Sequence, residues 1–297
     1  MKTLVTGYAL AFFTVMMWSL NLIYAKYLAG QVTPAEISFY RWFFALIIML
    51  PFCYRNFKTD FRQIITHKKL IILMALTGTG GLNWLVYHAG YTASATNMSL
   101  ISILGPVFLI FMSGQKIKLS QAAGVLMTVF GVLLIILNGN FKSLAAFKFV
   151  DGDVYMLGSA FLFAVYALLQ KRIPQNAHTE SFLFATVVLC CIMFLPAVIA
   201  DFSTEQIWHL SGDVWSILLI LGVINSFLAY LFWDVSIRKI GTIAAGALYY
   251  TMPIFTMFFS FVFLHEAADM VQFIGMLIIF SGISLVILPD FRAKSSA

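Results

Sequence analysis

Charged side chains are scarce in this chain. Asp, Glu, Lys and Arg make up 10% of its 297 residues, whereas an average soluble domain carries about 25%. Hydrophobic residues make up 62%, and the mean hydropathy is +0.95. A globular core of this length could not hide so much apolar surface from water. The composition therefore excludes an ordinary soluble domain and predicts that lipid covers much of the surface.

Cysteine and catalytic motifs are also scarce. Cys53, Cys190 and Cys191 lie at or inside apolar runs and form no CxxC pattern, so we interpret them as small hydrophobic residues. The chain has no GxSxG, HExxH or phosphate-binding loop, and no metal-ligand spacing. The net charge of +6 is spread over loops and forms no basic patch. We predict no enzyme activity, no cofactor, no metal and no nucleic-acid partner.

The chain contains many long apolar runs. Each is close to the 20 or so residues that span a bilayer core, and each is bounded by charge, Pro or Gly. Such segments must be helices, because a lipid-exposed chain has to satisfy its own backbone hydrogen bonds. The first run has no small-residue cleavage site and is interpreted as an uncleaved span. The ten predicted spans cover about 4–25, 34–54, 70–90, 95–115, 119–138, 154–172, 180–200, 214–234, 242–264 and 270–288.

The loops between these spans predict an orientation. With the N-terminus inside, fourteen Lys and Arg residues fall on the inner side and three on the outer side. An excess of basic residues marks the cytoplasmic side of a membrane protein. We predict that both termini are cytoplasmic and that the protein lies in the inner, or plasma, membrane.

The two halves of the chain repeat each other. Pro106 and Pro253 end matching small-residue stretches 147 residues apart, and Gly131 recurs as Gly282 at an offset of 151. Each half has five spans, an odd number, so the repeats cross the membrane in opposite directions. The predicted fold is an all-α integral membrane protein with ten transmembrane helices in two inverted five-helix repeats. The repeats cover 1–138 and 154–297, and a periplasmic linker covers 139–153.

Several motifs resemble one known family. They are Trp18-Ser-Leu-Asn21, Tyr40-Arg41-Trp42, the stretch from Tyr91 to Asn97 with Pro106, and Leu264-His-Glu266 followed by Gln272-Phe-Ile-Gly275. With the duplicated ten-span pattern they resemble the EamA family of the drug/metabolite transporter superfamily. The resemblance implies an inner-membrane carrier, often an exporter of amino acids or other small metabolites, that works by alternating access. One departure is Gln115, which stands where the repeat places Glu266.

Polar and aromatic side chains inside the spans are the candidate substrate contacts, because an unsatisfied polar group is costly in hydrocarbon. Asn21 and Asn83 lie deep in spans one and three, and the repeat pairs them with Tyr166 and Tyr230. Aromatic stripes at helical spacing are typical of binding sites, of plain helix packing and of the membrane interface. The residues predicted to line a cavity between spans one, three, four, six, eight and nine are Trp18, Asn21, Asn83, Trp84, Tyr87, His88, Tyr166, Tyr230, Tyr249 and Tyr250.

Few charged residues lie inside the spans. Arg41 is expected to snorkel outward or to pair with Glu36. Asp234 is expected at the inner end of span eight beside Arg238, as a gate or an interfacial ion pair. No carboxylate is expected at mid-membrane, which argues against proton coupling.

Two classes of function remain open on the sequence. The favoured one is a secondary transporter, with an inward- and an outward-open state, that exports a small organic metabolite. Pro106 and Pro253 would serve as its pivots. The alternatives are a passive metabolite channel and a membrane-embedded sensor. The predicted partners are a small-molecule substrate and the lipid bilayer, and the oligomeric state stays open between a monomer and a larger assembly.

Overall fold

The structure is a computed structural model that describes residues 2–93, 95–114, 118–137, 139–142, 150–202, 210–264 and 270–295. Every regular element in these ranges is helical. The α-helices in chain order are α1 Lys2–Leu28, α2 Pro34–Thr66, α3 Lys68–Met74, α4 Asn83–Thr92, α5 Ala95–Ser102, α6 Leu104–Ser113, α7 Leu119–Ile136, α8 Asp151–Gln170, α9 Thr179–Phe202, α10 Gly212–Ile220, α11 Ala229–Ile240, α12 Thr242–Tyr249, α13 Met252–Leu264 and α14 Met270–Ser295.

Six helical runs in the described ranges are long and apolar enough to cross a bilayer. Their bounds are Thr3–Leu28, Pro34–Thr66, Lys68–Thr92, Asp151–Gln170, Thr179–Ala200 and Gly212–Ile240, and they correspond to predicted spans one, two, three, six, seven and eight. Shorter apolar helices cover Leu104–Ser113, Leu119–Gly131 and Phe273–Val286. Their outward side chains, such as Phe111 and Leu119, are 78% and 87% exposed, as lipid-facing residues are. The molecule is a multi-pass helical membrane protein.

Two of the long runs contain a π-helical segment at corresponding places. The first covers Ala75–Leu82 between α3 and α4, and the second covers Leu221–Leu228 between α10 and α11. A π-helix has wider turns with i→i+5 bonds and is frequent at functional sites. In the first segment, a Cβ at Gly78 would overlap the ring of Tyr166, so this glycine lets the two helices pack closely.

Predicted spans four and nine are each broken into two short helices. The first break lies at Ile103 between α5 and α6, and the second at Tyr250–Thr251 between α12 and α13. Pro106 and Pro253 follow within the first turn of α6 and α13. Proline has no backbone N–H to donate to the preceding turn, so each helix breaks just before it.

The helices pack in matching pairs. The strongest contacts join α7 to α14, α2 to α9, α1 to α11, and α8 to both α4 and α6. One apolar core, which includes Val15, Leu22 and Ala164, runs between these helices and surrounds the cavity described below. Some sequence-based expectations fall outside the described residues, namely those for Gln115, Glu266 and residues 143–149 of the linker.

Candidate functional site

A narrow cavity lies where five of the predicted spans meet. The open space between its walls is about 450 Å³, but only about 30 Å³ of it can hold the centre of a water molecule. That is room for about two waters. The walls are formed by Trp18, Asn21, Leu22, Leu82, Asn83, Val86, Met156, Ser159, Phe163, Tyr166, Tyr230, Tyr249 and Met252. Six of the ten residues predicted from the sequence are among them, and no described residue of span four is.

Aromatic rings form one side of the cavity. The centroid of the Trp18 ring lies 5.3 Å from that of Tyr230 and 6.2 Å from that of Tyr249. Phe163 packs on Tyr249 at 4.6 Å between centroids. Rings of this kind offer wide apolar faces with a polar tip. The wall is suited to an organic body that is flat or partly apolar.

Asn83 and Tyr230, which the repeat pairs, are joined by a hydrogen bond. Asn83 Nδ2 donates to the Tyr230 hydroxyl at 2.8 Å, and the hydroxyl donates to the Gly78 carbonyl at 3.2 Å. Asn83 Nδ2 also contacts the carbonyl oxygens of Gly78 and Thr79 at 3.1 Å each. The first π-helical segment thus presents carbonyls to the interior, and these two side chains satisfy them.

Arg41 lies in the interior of the protein, so the expectation that it snorkels outward or pairs with Glu36 is wrong. Its side chain is fully buried, and its Nη1 donates to Asn83 Oδ1 at 2.8 Å and to the Tyr87 hydroxyl. Glu36 instead caps the start of α2, where its carboxylate accepts from Thr33 N at 2.9 Å. The capping bond holds the carboxylate at the helix end, which leaves Arg41 to the polar groups of three other spans.

The second π-helical segment supplies two of these groups. Arg41 Nε donates to Ser226 Oγ at 2.7 Å, and its Nη2 donates to the Asn225 carbonyl at 3.3 Å. That carbonyl also accepts from Trp18 Nε1 at 3.2 Å. Asn225 and Ser226 were missed from the sequence, although they form the only adjacent polar pair within the apolar run 214–231.

The other predicted residues lie around the cavity rather than in its wall. Tyr87 is buried behind it and donates to Asn21 Oδ1 at 2.9 Å. Tyr250 is buried at the break between α12 and α13 and lines a separate small void with Pro106. Trp84 and His88 are half-buried and pack on each other, with ring centroids 4.0 Å apart. The predicted stripe from Trp84 to Tyr91 is thus divided, since only Tyr87 faces the interior.

A second buried polar group lies one turn from the cavity. Asp234 and Gln170 follow Tyr230 and Tyr166 by four residues on their helices, and Gln170 Nε2 donates to Asp234 Oδ1. Asp234 is 3% exposed, and no ion pair joins it to Arg238, whose Nη1 donates to the Ala177 carbonyl at 3.1 Å. The expected ion pair with Arg238 is therefore not formed, and the role of Asp234 as a gate stays a prediction. Within the described ranges, no group of three His, Cys, Asp or Glu residues could hold a metal ion.

These features define a class of protein: a helical membrane protein with a small enclosed cavity between broken and π-helical spans. The chain belongs to the EamA-like transporter family, whose model matches residues 5–137 and 151–288. It is therefore a transporter and not an enzyme.

Curated relatives agree with this assignment. One is an uncharacterized transporter of Archaeoglobus fulgidus, 26% identical over 277 residues that cover 92% of this chain and 94% of the relative. Another is the S-adenosylmethionine uptake transporter of Rickettsia prowazekii, 23% identical and covering 100% of this chain and 97% of the relative. One solved crystal structure has the same fold, with a TM-score of 0.72, 16% identity, and coverage of 98% of this chain and 99% of that chain.

Proposed function

We propose that this chain is a secondary transporter that exports a small organic metabolite across the inner membrane by alternating access. The observation that carries the proposal is the narrow cavity between the spans. A space that holds about two waters cannot pass a metabolite, so the surrounding helices have to move apart for transport.

The proposed alternating access relies on two structurally related halves. Contacts between α7 and α14 that are equivalent under exchange of the halves support this relationship. A Cβ at Gly124 would lie 2.6 Å from the Gly282 carbonyl, and a Cβ at Gly131 would lie 2.9 Å from the Gly275 carbonyl. Because the repeat pairs Gly124 with Gly275 and Gly131 with Gly282, exchanging the halves converts one contact into the other. This antiparallel reciprocity is what inverted repeats produce. The family model also matches two segments, one in each half.

The predicted topology belongs to the same proposal. We propose ten spans, with the broken helices α5–α6 and α12–α13 as spans four and nine and with α7 and α14 as spans five and ten. The excess of basic residues in alternate loops supports cytoplasmic termini. The breaks before Pro106 and Pro253 would act as pivots, since each leaves backbone hydrogen bonds unmade.

The proposed direction rests on the family resemblance, which favours export, whereas the Rickettsia prowazekii relative is named an uptake transporter. A passive channel would also use a central cavity. We propose the carrier rather than the channel because these relatives are named transporters and the cavity holds only about two waters.

Counterflow in proteoliposomes tests the proposal. Purified protein is reconstituted with one unlabelled compound inside and a trace of its labelled form outside. The panel contains amino acids, organic acids, nucleosides, quaternary amines and S-adenosylmethionine. A carrier produces a transient accumulation of label, and Asn83→Ala should abolish it. The matched control is Asn56→Ala, which removes an asparagine that bonds Glu180 away from the cavity.

The outcomes separate the alternatives. Labelled compound that equilibrates without a transient overshoot would support the channel. The absence of flux for every compound, in protein that remains folded, would argue against transport of these classes and favour a sensor. Overshoot that survives in Asn83→Ala would overturn the assignment of the cavity as the pathway.

A further inference from the structure

We propose that the cavity binds an organic anion through Arg41 and that the substrate is a small monocarboxylate with a flat, apolar body. This inference rests on the proposed transport function and specifies its substrate class. It is carried by a buried cation that has no anionic partner among the described residues and that lies directly behind the cavity wall.

The guanidinium of Arg41 is completely buried in a membrane-spanning helix. Arginine remains protonated in proteins, so the positive charge cannot be removed by releasing a proton. A charged side chain inside a membrane protein is costly, pairs with other charges or with backbone carbonyls, and marks a substrate or ion pathway. Arg41 has a backbone carbonyl, that of Asn225, among its acceptors. Whether it also has an opposite charge decides whether an anion could complete the site.

In the part of the chain that the structure describes, the groups that contact this cation are neutral. Its acceptors are the side-chain oxygens of Asn21, Asn83, Tyr87 and Ser226 and the carbonyl of Asn225. The rings of Trp42 and Tyr87 lie 5.1 and 5.7 Å from its central carbon and are also uncharged. No acidic side chain in the described residues lies within 4.0 Å of it. The described residues around Arg41 accept its hydrogen bonds but do not neutralise its positive charge.

The cation is separated from the cavity by single side chains. Asn21 and Asn83 each contact the guanidinium and also line the cavity. The Asn21 contact is the weakest of the set, at 3.4 Å, which is near the limit for a hydrogen bond. The cavity as it stands holds about two waters, so the ligand would bind in a wider state, in which rotation of the Asn21 amide exposes Nη1 to the cavity.

A carboxylate that takes the place of the Asn21 oxygen gains more than it displaces. Nη1 can donate to a carboxylate oxygen as it donates to Asn21 Oδ1, and the negative charge adds an attraction that the neutral amide does not provide. The site lies in a low-dielectric interior, where the attraction is screened less than in water. Asn21 Oδ1 is also the acceptor of the Tyr87 hydroxyl, so its displacement leaves this hydroxyl able to donate to the carboxylate.

The rest of the cavity limits the body of the ligand. The rings of Trp18, Tyr230 and Tyr249 present apolar faces to it. None of the residues that line the cavity is a lysine or an arginine, so the lining offers no cation to a second carboxylate. A monocarboxylate with a flat body therefore fits the cavity, and a dicarboxylate does not.

The test compares each acid with its neutral amide. The probes are phenylacetate with phenylacetamide, indole-3-acetate with indole-3-acetamide, and phenylalanine with phenylalaninamide; phenyl phosphate is the second anion and succinate the dicarboxylate. Binding to detergent-purified protein is measured by ligand-induced thermal stabilisation, and transport by counterflow. We expect at least one acid to bind about 30-fold or more tightly than its amide, the discrimination typical of a buried charge pair. Succinate should not bind.

Three variants complete the test. Arg41→Gln should reduce the ratio of acid to amide affinity to about one, and Arg41→Lys should restore part of it because the charge returns without the fork. Arg238→Gln is the matched control, since it removes an arginine whose Nη1 bonds a loop carbonyl. It should leave the ratio unchanged. If the Arg41 variants do not fold, the ratio measured in the wild-type protein still decides the question.

Each result bears on a different claim. Counterflow of a neutral or cationic compound, with no acid bound, would overturn the anion site and leave the transport function in place. Binding of an acid without counterflow would support the anion site and argue against the carrier. Stronger binding of phenyl phosphate than of any carboxylate would refute the proposal that the substrate is a carboxylate, while supporting an anion site. The absence of binding by every acid would overturn the proposal.

Discussion

The contact between α7 and α14 permits a quantitative prediction for Gly282→Leu. A Cβ at Gly282 would lie 2.6 Å from the Gly124 carbonyl oxygen and 2.8 Å from Thr128 N, and both of these are backbone atoms. Ordinary contact begins at 3.4 Å, so the two helices would have to separate by about 0.8 Å before the rest of a leucine side chain is accommodated. Overpacking of this kind costs about 1–3 kcal/mol, and a rigid backbone places the cost at the upper end.

The assay is reversible unfolding of the purified protein in mixed micelles, with Ser281→Leu as the control. Ser281 is exposed and bonds only within its own helix, to the Leu277 carbonyl at 2.8 Å. The same leucine placed one residue away should therefore face lipid and change the unfolding free energy little. Gly124→Leu should resemble Gly282→Leu, and the double variant should cost less than the sum, because both residues form one contact. Equal stability of Gly282→Leu and Ser281→Leu would refute the close approach of the helices.

Three other substitutions have defined outcomes. Trp42→Phe should lower the unfolding free energy by about 1–3 kcal/mol, because the Thr79 carbonyl loses the indole donor at 2.6 Å; an unchanged value would contradict the bond. Asp234→Ala should lower the melting temperature more than Asp234→Asn, since asparagine still offers Gln170 an acceptor, and equal melting temperatures would count against this. Pro253→Ala should slow counterflow without weakening ligand binding, whereas an unaltered rate would argue against a pivot.

Features that depend on local chemistry were predictable from the sequence. Apolar runs of bilayer length predicted helices, and the structure has helices at those places. Pro106 and Pro253 were predicted to be pivots within continuous spans, and the structure has a helix break just ahead of each. The offset between the two repeats pairs Asn83 with Tyr230, and a hydrogen bond of 2.8 Å joins their side chains. Hydrophobicity and proline act on the backbone within a few residues. The pairing of Asn83 with Tyr230 is long-range, but the duplication makes it visible in the sequence.

The position of Arg41 was not predictable in the same way. Its sequence neighbour Glu36 suggested an ion pair near the outer surface, yet its partner Ser226 lies 185 residues away in the chain. The two π-helical segments were missed as well, because hydrophobic periodicity over eight residues does not distinguish a π-turn from an α-turn. The polar pair Asn225–Ser226 was a signal that could have indicated the second segment.

The amino-acid sequence by itself determined that the protein is a helical membrane protein with a duplicated pattern, because hydrophobicity, proline breaks and repeats are properties of the chain alone. Only the tertiary structure decided which polar groups meet. Asn21, Arg41 and Ser226 lie on different helices, and the way those helices pack brings them together. A buried charge is stable only where its partners converge, and this convergence depends on packing contacts between distant segments that no local pattern encodes.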